Sequence, residues 1–143
     1  MPFSSRPPLM ASSLFLSPTG FDWRSLDRVT DIKNQGSCGS CWSFAATAQY
    51  ESCLAIATNG LKYDLSEQYA LECDLNSFGC AGGYPFKALE LFKNTGIPLE
   101  STYPYKLSNN FFKSQNIPIC TNTNRVKLNK TISGVSFLTS YTT

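Results

Sequence analysis

Residues 41–58 contain neither Gly nor Pro, and directly before them stands Gln35-Gly36-Ser37-Cys38-Gly39-Ser40. A turn-rich loop entering a long uninterrupted run constrains this chain more than any other feature. The run reads as a helix with Ser40 as its N-cap. Between Lys33 and Lys62 the only charged residue is Glu51. Trp42, Phe44, Ala45, Ala48, Leu54 and Ile56 put apolar or small side chains on every side of it. A helix without a polar face is a buried central helix, around which the remaining elements must pack. Asn59-Gly60 supplies the stop. A carboxylate in such a helix must be paired or neutralised, so Glu51 is expected to be a satisfied buried acid.

The same junction carries chemistry. A cap at Ser40 puts Cys41 in the first turn, at the positive end of the helix dipole, which favours the nucleophilic thiolate. Gln35 lies upstream across the Gly-Ser-Cys-Gly-Ser turn. Its amide could donate to an oxyanion beside the backbone N–H of Cys41. Gly36 and Gly39 let the backbone fold tightly beneath a bound substrate. The chain contains no histidine, so the usual base for such a thiol is missing from it.

The rest of the chain divides into short elements. Phe21 to Gly39 reads as extended segments and turns. Ser66-Glu67-Gln68 opens a second, short helix ending near Cys73, with Ser66 as N-cap and Glu67 favourable in the first turn. Phe78-Gly79-Cys80-Ala81-Gly82-Gly83 is a glycine-rich loop. Pro85 and Gly96 bracket a third helix with Ala88, Leu89 and Phe92 as its apolar stripe. After Tyr103-Pro104-Tyr105, read as packing, the chain turns polar through Asn124. Residues 125–139 alternate weakly, as β structure does.

Composition narrows the function classes. A hydrophobic content of 42% suits a packed core. A net charge of +2, with no basic run longer than two residues, argues against a nucleic-acid partner. No apolar stretch is long enough to span a bilayer. Six cysteines point to disulfides and an oxidising route, lysosomal or vacuolar or extracellular, with the pairing left open. Asn129-Lys130-Thr131 is a glycosylation sequon in keeping with that route.

Cys38-Gly39-Ser40-Cys41-Trp42 resembles the local signature of papain-like cysteine peptidases of the cathepsin L type. Phe21-Asp22-Trp23-Arg24, Ser66-Glu67-Gln68 with Cys73-Asp74, Gly79-Cys80-Ala81-Gly82-Gly83-Tyr84-Pro85 and Thr102-Tyr103-Pro104-Tyr105 follow in that family's order. Ala81 departs from the asparagine most often found in that loop. The resemblance implies an α+β, papain-like fold. Its mostly helical left domain, around a buried central helix, would take residues 20–120. Residues 121–143 would be the truncated start of the β-rich right domain, and residues 1–19 a disordered leader or pro-segment remnant.

By resemblance Cys41 is the nucleophile and Gln35 the oxyanion-hole glutamine. Gly39, Trp42, Gly82 and Gly83 line the substrate strip, with Tyr84 and Pro85 as an apolar wall. Cys38 would pair with Cys80 and Cys73 with Cys120, leaving Cys41 free. Cys53 has no counterpart in that pattern and reads as a small core residue. The family's catalytic His and Asn belong about 130–150 residues after the nucleophile, past Thr143. The resemblance thus implies a cysteine endopeptidase whose present chain is catalytically incomplete. It implies no metal and no cofactor. Its partners would be peptide or protein substrates and pro-segment or cystatin-like inhibitors, for a monomer. Three other readings stand beside it. Cys38-x-x-Cys41 could be a thioredoxin-like redox pair, or part of a metal site, or the chain could be a non-catalytic peptide-binding decoy.

Overall fold

A computed structural model describes residues 20–106 and Cys120. Its helices run in the order Trp23–Leu26 (a short 3-10 turn), α1 (Cys41–Ala57), α2 (Glu67–Cys73), a second 3-10 turn (Gly79–Ala81) and α3 (Pro85–Thr95). No strand occurs among the described residues. One isolated antiparallel bridge joins Leu65 to Leu99. The β structure expected over 125–139 and the leader at 1–19 lie outside the described residues.

The three predicted helices form within a residue or two of their expected limits. Asn59 and Gly60 take positive φ, 57° and 108°, and stop α1. Ser66 caps α2, its Oγ accepting from Tyr69 N at 3.2 Å and donating to Tyr103 O at 2.6 Å. Pro85 opens α3, and Gly96 closes it with φ 76°. One segment read as extended is helical instead. Asp22 caps Trp23–Leu26, its carboxylate accepting from Arg24 N at 2.9 Å, and Asp27 ends the turn in the left-handed region.

The core sits where α1 packs on α3 and α2. Trp42, Ala46, Tyr50 and Leu54 recur every fourth residue on one side of α1, and all are buried. Ala46, Ala70 and Ala88 are each fully buried and keep the helices close. The Tyr50 ring meets Phe92 edge-on at 5.6 Å, and Tyr69 meets the same ring at 6.4 Å. Burial of α1 is not all-round, however. Cys41, Ala45, Ala48, Gln49 and Ile56 are exposed, because none of the described residues packs over that edge. Uniform apolarity identified a helix with little solvent-facing chemistry, not one already covered on every side.

Candidate active site

The loop before Cys41 is tied to Cys80 twice. Cys38 forms a disulfide with Cys80, and Gly39 N donates to Cys80 O at 3.0 Å. A Cβ on Gly39 would strike that same carbonyl, so the close approach requires glycine. Cys73 pairs with Cys120. Cys41, the first residue of α1, is free and exposed. With Cys38 bonded to Cys80, the Cys38–Cys41 redox pair is overturned.

Ser40 stands at the N-cap position but does not cap. Its hydroxyl makes no bond to the helix N–H groups and instead lies 2.6 Å from the Tyr105 hydroxyl. Gln35 Nε2 donates to Cys38 O at 2.9 Å. An amide nitrogen carries two hydrogens, so that bond leaves the second for another acceptor.

Trp42 lies under the glycine-rich loop rather than on its surface. It is 2% exposed, and its Nε1 donates to Gly79 O at 3.0 Å. Gly83 rests on the indole: a Cβ there would sit 2.5 Å from the ring and 2.7 Å from Ser77 Cβ. Gly82 has open space around it and a φ of 126°, so glycine serves conformation at that position. Its carbonyl accepts from Phe78 N at 2.7 Å and its N–H donates to Gly79 O at 3.2 Å. Gly82 therefore spends its backbone groups inside the loop. Tyr84 and Phe78 are exposed, and the Tyr84 ring lies 5.5 Å from Phe86. Pro85 is exposed at the start of α3.

Sequence reasoning missed the charged node beside this loop. Lys33 Nζ reaches Asp64 at 2.7 Å, Glu67 at 2.9 Å and Glu51 at 3.2 Å, and donates to Leu65 O at 3.0 Å. Glu51 is 1% exposed and accepts also from Leu65 N at 2.7 Å and from the Thr30 hydroxyl. It is thus the satisfied buried acid expected. Glu67 is buried too, and its Oε2 has no partner. Burial pushes the Glu67 carboxyl up to about 7, against the pull of Lys33. Burial lowers the Lys33 ammonium, but the bonds from Asp64 and Glu67 outweigh it and leave it raised. Glu100, raised chiefly by burial, accepts from Tyr105 N at 2.7 Å. A cavity of about 280 Å³ opens among Phe44, Asp64, Glu67, Glu100 and Tyr105. Glu51 signalled that a partner was needed but not which one, and Glu67 beside Ser66 was explained by helix-start chemistry. Cys53, read as a core residue, is half-buried and free, and burial raises its thiol.

The model of the papain family of cysteine proteases matches residues 17–142. The chain belongs to that family. It is 49% identical over 89 residues to papain of Carica papaya, covering 62% of this chain and 26% of papain. It is 50% identical over 94 residues to the viral cathepsin of Autographa californica nuclear polyhedrosis virus, 65% of this chain and 29% of that protein. Among solved structures it resembles a Carica candamarcensis cysteine protease in complex with E-64, with 44% identity and a TM-score of 0.62. That match covers 68% of this chain and 46% of the other. A digestive procathepsin L2 of Tenebrio molitor gives 40% identity and the same TM-score of 0.62, covering 69% and 32%. The chain thus spans under a third of the curated papain and viral cathepsin it matches. The fold is papain-like, and the described part is its helical portion.

Proposed function

We propose that this papain-family chain carries the nucleophile half of a cysteine endopeptidase site. The observation that carries the reading is Cys41: a free, exposed thiol at the first position of a long helix, beside a cysteine locked in a disulfide. In that reading the Cys41 sulfur attacks a peptide carbonyl. The oxygen, becoming an oxyanion, is met by the second hydrogen of Gln35 Nε2 and by the Cys41 N–H. The amine then leaves with a proton, and water resolves the thioester. Gly83 offers its backbone to an extended peptide, Tyr84 and Pro85 form an apolar wall, and Trp42 supports Gly83 from beneath.

The protonation step needs an imidazole, and this chain has none. By itself it would bind and be alkylated without turning over. The second reading is a peptide-binding decoy, and it differs from the first in whether such an imidazole is supplied. Peptide or protein substrates, pro-segment or cystatin-like inhibitors, and a lysosomal, vacuolar or extracellular site belong to the peptidase reading.

The test compares residues 1–143 with the same chain extended by a histidine-bearing second domain, each with a Cys41→Ala control. Peptide hydrolysis is expected only from the extended chain with Cys41 intact. An inactive extended chain that still binds peptide would transfer the assignment to the decoy. Turnover by the short chain that Cys41→Ala abolishes would show that no imidazole is needed.

A further inference from the structure

We infer that Tyr105 is a positioning residue for Gln35, an inference that rests on the oxyanion role proposed for that glutamine. Tyr105 stands 70 residues from Gln35 and 65 from Ser40, yet its hydroxyl joins them. It donates to Gln35 O at 2.8 Å. A phenol has one hydrogen, and that bond uses it. The contact with Ser40 at 2.6 Å therefore runs the other way, with Ser40 Oγ donating to the phenolic oxygen. Ser40 also has one hydrogen, which accounts for its long 3.5 Å contact to Cys38 O.

The result is a directed chain from Ser40 through Tyr105 to the Gln35 backbone. It fixes the residue that carries the amide relative to the residue just before the nucleophile. The phenol is held in turn. Its ring meets Phe44, one turn along α1 from Cys41, edge-on at 4.9 Å, and its N–H donates to Glu100. Gln35 has one further tie, from its own amide to Cys38 O. That tie fixes the amide plane but not the height of the backbone beneath it. An oxyanion donor must sit within a few tenths of an ångström of its target, so a pin on the main chain acts directly on the chemistry.

The experiment uses the 143-residue chain and a short apolar peptide aldehyde labelled with ¹³C at its carbonyl. Cys41 sulfur adds to the carbonyl carbon, the C=O π bond opens, and the thiol proton ends on oxygen. The product is a hemithioacetal, and its equilibrium constant reports support for that oxygen. Iodoacetamide alkylation, a displacement that builds no oxyanion, serves as the second readout on the same sulfur. Gln35→Ala tests the underlying reading, Tyr105→Phe tests the pin while keeping the ring, and Ser40→Ala removes its far end. Aldehyde affinity is expected to fall on the order of tenfold or more in Gln35→Ala. In Tyr105→Phe it should fall roughly three- to tenfold, and less in Ser40→Ala. Iodoacetamide rates should hold in all three.

If Gln35→Ala weakens the aldehyde and Tyr105→Phe does not, the pin is overturned and the glutamine's role stands. If Gln35→Ala changes nothing, the oxyanion reading fails and the pin falls with it. A parallel loss of aldehyde affinity and iodoacetamide rate in Tyr105→Phe would make Tyr105 a packing residue only. Should Tyr105→Phe fail to fold, Ser40→Ala decides by the same two readouts.

Discussion

Lys33 and Gln35 stand two residues apart and belong to regions built on different principles. Around Gln35 the backbone is held by a disulfide, by neutral hydrogen bonds and by one phenol. Around Lys33 it is held by charge: one ammonium serves three carboxylates, two of them almost fully buried. Neutral hydrogen bonds give geometry at modest net energy, about 1 kcal/mol each. Buried charges give little net stability when complete but a large penalty when broken. The loop before Cys41 is therefore held by geometry, and its neighbour around Lys33 by charge.

Removing the Lys33 charge should produce the largest effect. Lys33→Met leaves Glu51 and Glu67 buried without their cation, at a cost of roughly 3–5 kcal/mol. Urea denaturation is the measurement. A loss below about 1 kcal/mol would mean that the two glutamates simply take up protons, and the contrast between the regions would collapse. The disulfide comes next. Replacing Cys38 and Cys80 together by serine opens a loop with a sequence separation of 42. The chain-entropy model puts that at about 4 kcal/mol, with 2–4 typical. Cys41 should still react with iodoacetamide in the folded fraction. Loss of that reactivity under conditions where the chain remains folded would show that the bridge positions the thiol as well as stabilising the fold.

Gly83→Ala probes the loop by volume alone. Its new methyl meets a buried indole that cannot yield, so a loss of about 1–3 kcal/mol is expected, with a change in Trp42 fluorescence. Gly82→Ala has room and is penalised only by its φ of 126°. An unchanged melting temperature for Gly83→Ala would show that the loop lifts off Trp42 easily.

What was legible in the chain follows from this division. The loop before Cys41 is local: Gln35 to Cys41 is one turn and one helix start, and Gly36, Gly39 and Ser40 reveal both. The helices were readable because Pro85, Gly96, Ser66 and Asn59-Gly60 act within a residue or two of themselves. Lys33 and Tyr105 reach partners 18 to 70 positions away, and no periodicity records that. Ser40 is the instructive failure. Its residue type is right for a cap, but its backbone (φ −97°, ψ 11°) lies outside the extended region that a cap uses, and its hydroxyl meets a distant phenol at 2.6 Å instead. Residues 121–143, where the β-rich entry was expected, lie outside the described residues.

A pH-dependent effect concerns protons on the charged side. Glu67 moves from an ordinary 4.5 to about 7 on folding, because burial penalises its charge more than Lys33 favours it. The folded state therefore holds a proton that the unfolded state has released between about pH 4.5 and 7. Stability contributed this way is complete below 4.5 and is lost as pH rises through 7. Glu100 is shifted in the same direction by burial and adds to the trend. One such group gives a slope of at most about 1.4 kcal/mol per pH unit. Glu67→Gln keeps an oxygen for Lys33 and cannot titrate, so its stability curve should be flatter across that window. The wild-type chain should gain relative to the variant as pH falls from 7 to 5. A wild-type curve that instead loses stability on acidification through this window, with Glu67→Gln removing the loss, would mean that Lys33 keeps Glu67 ionised throughout. The unpartnered Oε2 would then be a buried negative charge rather than the seat of a proton.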